Sequence, residues 1–288
     1  MNKALLFLSV LLMLTSGCVR SGTAESQKTQ ITVSILPEVY FVRQIAGDLA
    51  DINVMIPPGA SPATYEPTPQ QLHELLKSTL YMKIGYSAFE SSWMEKMTAV
   101  NPSMLVTDLS RNIELIREEH SHEGEQLSVN PHTWLSPANA RIIARNVAAD
   151  LKRILPGDSA VFNANLSAFL LKTDTLDRQL HEILDPLENR AFMIYHPALT
   201  YFARDYNLEQ YALETDGKEP SPAHMKYLTD LAREKGIKVI FLQMQFDQHN
   251  AMALSKETGA EIVQINPLDP EWYNQMLFIA ETMKEKLR

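Results

Sequence analysis

The sequence predicts an α/β protein made of two parallel-sheet lobes that one long helix joins. Short apolar, β-rich runs alternate with helical patterns along the chain, which is typical of βα units around a mostly parallel sheet. This alternation occurs twice, once in each half of the chain. Between the two halves lies an uninterrupted helical pattern, and its position suggests a connector between two lobes.

In the first half, four apolar runs are predicted strands, and two of the segments between them are predicted helices. Turn-forming residues such as Pro57-Pro58-Gly59 bound these runs. The predicted strands are residues 31–36, 52–56, 80–84 and 104–109, and the predicted helices are residues 37–49 and 69–76.

The second half repeats this pattern with clearer helix boundaries. Ser221 is a predicted N-cap followed by proline at the first helical position. Gly236 and Gly259 stand where a helix C-terminus needs a left-handed residue. The predicted strands are residues 191–195, 208–213, 237–242 and 262–265, and the predicted helices are residues 198–206, 221–235, 248–258 and 272–287.

The connector is predicted at residues 159–184, which contain no glycine or proline and carry apolar residues largely at helical spacing. One helix of this length is about 39 Å long at ~1.5 Å per residue, so it can join two lobes stiffly. We therefore predict a first lobe at residues 30–158, a linking helix at 159–186 and a second lobe at 187–288.

The first residues predict export and a lipid anchor. A short positive segment precedes an apolar run that is too short to span a bilayer comfortably, and small residues precede Cys18. This run resembles a bacterial lipobox, which implies a signal peptide at 1–17, lipid-modified Cys18 and a tether at 18–29. The alternative is an ordinary signal peptide with an incidental cysteine. Because Cys18 is the only cysteine, we expect no disulfide and no thiolate metal ligand in the mature fold.

Two histidines are the main candidates for a functional site. His132 lies in the segment NPHTWLSP at 130–137, and His196 follows the predicted strand in AFMIYHPAL at 191–199. A proline beside each histidine restricts the local backbone, and ligands of α/β proteins gather at the carboxyl ends of strands. The pair therefore suggests a metal site in a cleft between the lobes. The alternatives are a satisfied interior histidine at 196 and an ordinary loop histidine at 132.

Residues 117–129 break the α/β pattern, because they are polar, acidic and contain His120 and His122. We predict a mobile surface loop. Its histidines are either auxiliary metal ligands, since neutral imidazole binds zinc well, or plain solvated residues.

Signals for enzymes and for nucleic-acid binding are weak. The chain contains no Gly-x-Ser-x-Gly elbow and no His-Glu-x-x-His pair. Gly217-Lys218 lacks the other residues of a phosphate-binding loop. The net charge of −9 argues against a nucleic-acid partner. We therefore expect a protein that is not an enzyme.

Five ordered motifs resemble the zinc- and manganese-binding solute-binding lipoproteins of bacterial ABC importers, the cluster A-I family. The resemblance runs from about residue 31 to the C-terminus. The motifs are PPGASPATYEPTP at 57–69, NPHTWLSP at 130–137, YHPALTYF at 195–202, GKEPSP at 217–222 and NPL at 266–268, after an initial strand and helix at 31–49. The resemblance implies two α/β lobes joined by one long helix, with the metal held in the cleft between them.

The resemblance also implies metal ligands from four motifs, and His132 and His196 match two of them. At the other two positions this chain departs, with Ala63 where the family usually has histidine and Asn266 where it often has aspartate. Neutral imidazoles favour Zn²⁺ over the harder Mn²⁺. Candidates to complete the site are Asn266 itself, water, and the following side chains: His120, His122, Glu119, Glu123, Glu66 and Glu219.

The function implied by the resemblance is that of a monomeric, lipid-anchored receptor on the periplasmic or cell-surface side of a membrane. Such a receptor delivers a divalent cation, here zinc in preference to manganese, to an ABC permease and its ATPase. Two alternatives stay open. One is a surface lipoprotein of the same fold with weakened metal binding that acts as an adhesin or scaffold. The other is a zinc hydrolase that uses His132 and His196 around an open coordination position.

Overall fold

A computed structural model describes residues 28–118, 128–215 and 217–287, and it contains two four-stranded parallel sheets. The first sheet has the strand order β2-β1-β3-β4. Its strands are β1 (Thr29–Val33), β2 (Ala50–Val54), β3 (Ser78–Lys83) and β4 (Leu105–Asp108), and the helices between them are α1 (Leu36–Ala46), α2 (Pro69–Leu75) and α3 (Ala88–Val100).

The second sheet is also parallel, with the order β10-β9-β7-β8. Its strands are β7 (Ala191–Ile194), β8 (Glu209–Ala212), β9 (Val239–Gln243) and β10 (Glu261–Ile265), and the helices are α6 (Thr200–Asp205), α7 (Pro222–Lys235) and α8 (His249–Thr258). The α/β class with two parallel-sheet lobes is therefore confirmed. The left-handed residues predicted at the ends of α7 and α8 are observed, with φ of 63° at Gly236 and 76° at Gly259.

Two long helices lie between the sheets in the chain, α4 (Pro137–Ile154) and α5 (Ser159–Leu184), with a short 3₁₀ turn at Pro156–Asp158 between them. The helix α5 has the bounds of the predicted helical pattern. It buries one face, which includes Phe162, Phe169, Leu176 and Leu180, against α4, α1 and the last helix. The connector is therefore packed along its length, which stiffens it.

The last helix, α9 (Trp272–Lys286), follows the second sheet but packs against the first lobe. The ring of Trp272 lies 5.2 Å from that of Phe41 on α1, and its indole N–H donates to the carbonyl of Trp134 at 2.8 Å. The indole of Trp134 in turn donates to the carbonyl of Pro267 at 2.8 Å. These contacts join the loop that carries His132 to the end of the second sheet.

Three details differ from the elements predicted from sequence. The helix α3 was not predicted, although Ser87 caps it by accepting from the N–H of Glu90 at 3.2 Å. The strand β1 ends before its predicted end because the carboxylate of Glu38 accepts from the N–H groups of Ser34 and Ile35, both at 2.9 Å. The predicted loop begins and ends with an antiparallel pair, β5 (Arg117–Glu118) and β6 (Ser128–Val129).

Among the helices that the structure describes, none combines the length and the apolar composition that crossing a membrane requires. The predicted signal peptide, Cys18 and most of the predicted tether lie outside the described residues, as do residues 119–127 of the predicted loop.

Candidate metal site

The two predicted histidines meet in the cleft between the lobes. His196 follows β7, and His132 lies in the turn that precedes α4. Their Nε2 atoms are 3.2 Å apart, and their ring centroids are 4.9 Å apart. Both rings line a cavity of about 190 Å³. Residues that are 64 positions apart in the chain therefore present one nitrogen each to the same point.

The orientation of His196 is set by a carboxylate behind it. Glu214, which follows β8, is buried, and its Oε1 lies 2.5 Å from Nδ1 of His196. Because a carboxylate accepts hydrogen bonds, Nδ1 is the donor to Glu214 and Nε2 is the nitrogen that faces the cavity. The side chain of Gln243 fixes the backbone of His196, since it donates to the carbonyl at 2.5 Å and accepts from the N–H at 3.2 Å.

The orientation of His132 is set by an amide. Nδ1 of His132 lies 3.0 Å from Oδ1 of Asn130. The Nδ2 group of Asn130 donates to the carbonyl of Pro197 at 3.3 Å and to the hydroxyl of Thr200 at 3.1 Å, which determines which end of the amide faces the imidazole. Nδ1 of His132 is therefore the donor, and its Nε2 presents a lone pair.

Nε2 of His132 therefore presents a lone pair toward Nε2 of His196, and at 3.2 Å the two atoms can share either one proton or one cation. With Zn–N bonds of about 2.0–2.1 Å and a tetrahedral angle, two nitrogens on one zinc ion lie about 3.3–3.4 Å apart, close to the 3.2 Å between these Nε2 atoms. Desolvation, and then the nearby His196, hold the pKa of His132 well below its usual value of 6.5, which keeps the ring neutral and able to bind a metal.

The walls of the cavity are mostly apolar. The ring of Trp134 lies 5.3 Å from that of His132, and Phe246 stacks on His196 at 5.4 Å with an interplanar angle of 19°. Ile35 and Leu268 also line the cavity. An apolar wall lowers the local dielectric and limits access of water, which strengthens the electrostatic interaction between a bound cation and its ligands.

The other candidate ligands from the sequence lie elsewhere. Ala63 lines the cavity but its methyl group offers no donor atom. Asn266 lines a neighbouring cavity, and its Oδ1 accepts from the N–H of Leu268 at 3.2 Å. Glu66 and Glu219 are exposed and do not line the cavity of the histidine pair.

The loop candidates His120, His122, Glu119 and Glu123 lie outside the described residues. Across the described ranges, no group of three or more His, Cys, Asp or Glu side chains is arranged to hold a metal ion. The described part of the chain therefore contributes a pair of nitrogen donors and their hydrogen-bond partners.

Four further residues of this site were not predicted from the sequence: Glu214, Asn130, Gln243 and Phe246. Asn130 stands two residues before His132 in the segment NPHTWLSP, so its position close to a candidate ligand was a usable signal. Glu214 directly follows a predicted strand, which was a usable signal, because carboxyl ends of neighbouring parallel strands share one edge of a sheet.

The fold and the site define a two-lobed solute-binding protein with a candidate metal site between its lobes. The chain belongs to the ZnuA family, zinc-uptake complex component A, periplasmic, whose family model matches residues 31–285. The resemblance inferred from the sequence motifs is therefore confirmed.

Individual relatives agree with this membership. The chain is 26% identical over 278 residues to the zinc-binding lipoprotein AdcA of Streptococcus pneumoniae, with 92% of this chain and 55% of AdcA covered. The chain thus spans about half the length of that relative. It is 26% identical over 306 residues to the high-affinity zinc uptake system protein ZnuA of Bacillus subtilis, with 99% and 95% covered. A crystal structure of ZnuA matches with a TM-score of 0.86 at 36% identity, covering 91% of this chain and 100% of that chain.

Proposed function

We propose that this protein is an extracytoplasmic receptor that binds zinc in the cleft and delivers it to an ABC permease and its ATPase. His132 and His196 are the proposed ligands. The observation that carries the proposal is the convergence of their two Nε2 atoms at 3.2 Å. Membership of a zinc-uptake family and the names of the zinc-binding relatives support it.

The donor set favours zinc over manganese. Mn²⁺ prefers carboxylate and carbonyl oxygen, whereas imidazole suits Zn²⁺. No Asp or Glu is among the described residues that line the cavity. Mn²⁺ is therefore the weaker cargo. The loop histidines His120 and His122 stay candidates for further ligands in this proposal, whereas the exposure of Glu66 and the separate cavity of Asn266 disfavour those two.

The proposal involves no catalysis. A metal-assisted hydrolase needs a carboxylate near the metal-bound water. Within the described part of the cavity wall, polar side chains come from serine, glutamine and the histidines themselves. The carboxylate of Glu214 is behind His196 and already accepts the hydrogen bond from its Nδ1. Capture and release of the cation are sufficient for the proposed role.

The proposed lobe motion is small. The packed helix α5 and the Trp272–Trp134–Pro267 hydrogen bonds link the lobes, and a rigid connector permits less closure than flexible hinge strands. We also propose that Cys18 anchors a monomeric protein to the membrane through the tether, with the lobes at the boundaries given above.

Calorimetric titration of the metal-free protein with zinc and with manganese tests the proposal. We expect one zinc ion per chain with clearly weaker binding of manganese. A titration in which neither metal gives heat above the dilution background contradicts the proposal.

A further inference from the structure

The histidine pair supplies two donors, but zinc in proteins is most often four-coordinate. Other polar side chains that the structure describes around the cavity are poor substitutes. Both ends of the Gln243 amide bind the backbone of His196. The hydroxyls of Ser61 and Ser87 accept from backbone N–H groups of Ala63 and Glu90. Gln245 also lines the cavity, but its amide offers only a neutral donor atom. Among the described side chains, two coordination positions of the zinc ion therefore have no imidazole or carboxylate ligand.

That space is larger than two water ligands require. The cavity measures about 190 Å³, whereas one water molecule occupies about 30 Å³ of the liquid. Its walls include Trp134, Phe246, Leu268 and Ile35, which offer water no hydrogen bonds apart from the indole N–H, and that group already donates to Pro267. A mostly apolar cavity with a few convergent polar groups is typical of a site for a small organic molecule.

We propose that the cleft binds zinc together with one molecule the size of an amino acid. Its amine and carboxylate occupy the two open positions on the metal, and its side chain packs between Trp134 and Phe246. This inference rests on the proposed function and specifies its cargo as a zinc chelate.

The charges in the site favour a chelator that is anionic and that binds only when zinc is present. Two neutral imidazoles bring no charge to Zn²⁺, and the carboxylate of Glu214 behind His196 offsets at most one of its two positive charges. A carboxylate on the metal offsets the other. No Lys or Arg is among the described residues that line the cavity, so nothing other than zinc attracts the carboxylate. The amino acid alone is therefore not expected to bind.

A substitution at Ala63 can fill this part of the cavity. It lines the cavity, and Ala63→His adds both volume and a third imidazole. We expect Ala63→His to tighten the binding of zinc alone and to abolish any contribution from the chelator. Thr64→His is the matched control, because Thr64 is exposed and does not line the cavity.

The experiment measures zinc affinity at buffered free zinc with and without excess L-leucine, with glycine as a chelator that lacks a side chain. Holding free zinc constant removes the effect of complexes formed in solution. Linkage then requires that a molecule which joins the metal in the site tightens apparent zinc binding. We expect L-leucine to tighten it at least tenfold, or about 1.4 kcal/mol, and glycine to do so less. Native mass spectrometry should detect protein, zinc and L-leucine in a 1:1:1 complex.

The outcomes separate this inference from the proposed function. Zinc binding that depends on both histidines but is unaffected by L-leucine overturns the chelate and leaves the zinc receptor intact. Equal effects of glycine and L-leucine overturn the role assigned to the apolar walls. Absence of zinc binding under every condition overturns both. Loss of the L-leucine effect in Ala63→His, with its retention in Thr64→His, supports the site as described.

Discussion

Glu214 accepts a hydrogen bond from Nδ1 of His196 at 2.5 Å, although 18 positions separate the two residues in the chain. Each of them stands two positions beyond the last residue of its strand, and β7 and β8 are neighbours in the sheet. The buried carboxylate determines the tautomer of His196 and so the direction of its lone pair. A residue that does not bind the metal thereby controls one of the proposed ligands.

Replacing this carboxylate tests its positioning role. Glu214→Gln keeps the shape, but its amide can donate to Nδ1 and then favours the tautomer that carries hydrogen on Nε2. We expect zinc affinity to fall by roughly 10- to 100-fold, the usual effect of losing an outer-shell partner. Calorimetry at several pH values measures this loss of zinc affinity. We expect the loss to persist at every pH at which the parent protein binds zinc fully. Glu209→Gln, at an exposed carboxylate on β8, is the control. Equal affinities in both variants would rule out the role.

The proposed ligands make the strongest prediction. His132→Ala and His196→Ala each remove one of two convergent nitrogens, so each should weaken zinc binding at least tenfold, or about 1.4 kcal/mol. His249→Ala is the control, because that side chain is exposed and outside the cavity. If both variants bind zinc as the parent does, the site lies elsewhere.

A second buried carboxyl group predicts a pH dependence of stability. Burial, followed by repulsion from Glu90, raises the pKa of Glu38 well above 4.5. Its Oε1 has no hydrogen-bond partner in the described structure. Tyr81 and Asp108 lie near the same cluster, and the hydroxyl of Ser34 bonds both Glu90 and Tyr81.

The direction in which stability changes with pH follows from the number of protons that the folded and unfolded states bind. Between the unfolded and the folded pKa of Glu38, the folded state holds a proton that the unfolded state has lost, so stability decreases as pH rises through that window. The loss is about 1.4 kcal/mol per pH unit. Glu38→Gln keeps a neutral group in both states, so its stability relative to the parent should increase from pH 5 upward. Urea unfolding at several pH values measures this difference, and a constant difference would contradict it.

Because Trp272 links the two lobes, we expect its replacement to lower the free energy of unfolding substantially. Its side chain is 1% exposed, so Trp272→Ala should destabilise the fold by about 3–5 kcal/mol. Trp272→Phe keeps most of the packing on Phe41 but loses the hydrogen bond to Trp134, which should cost about 1 kcal/mol.

Phe278 lies on the same helix and is 47% exposed, so Phe278→Ala should change the free energy of unfolding by no more than about 0.5 kcal/mol. Chemical denaturation compares the three variants. Similar losses for Trp272→Ala and Phe278→Ala would show that the interlobe contact contributes little.

The sequence by itself determined the order and type of most elements and the choice of the two histidines. Local signals were sufficient for these inferences. Residues 159–184 lack any helix breaker, Gly236 and Gly259 end helices by adopting positive φ, and prolines flank His132 and His196. The missed helix α3 had a usable cap at Ser87 and apolar residues at helical spacing, Phe89, Trp93 and Met97, so the sequence did carry a signal for it.

Only the tertiary structure decided what the histidines can do. The 3.2 Å between their Nε2 atoms depends on the docking of one lobe on the other. The hydrogen bond from His196 to Glu214 depends on the register of β7 with β8, and the turning of Asn266 away from the cavity depends on its bond to Leu268. Such relationships join residues that are distant in the chain or set the direction of a side chain. Hydrophobic periodicity and capping signals describe neighbours along the chain and carry no information about either.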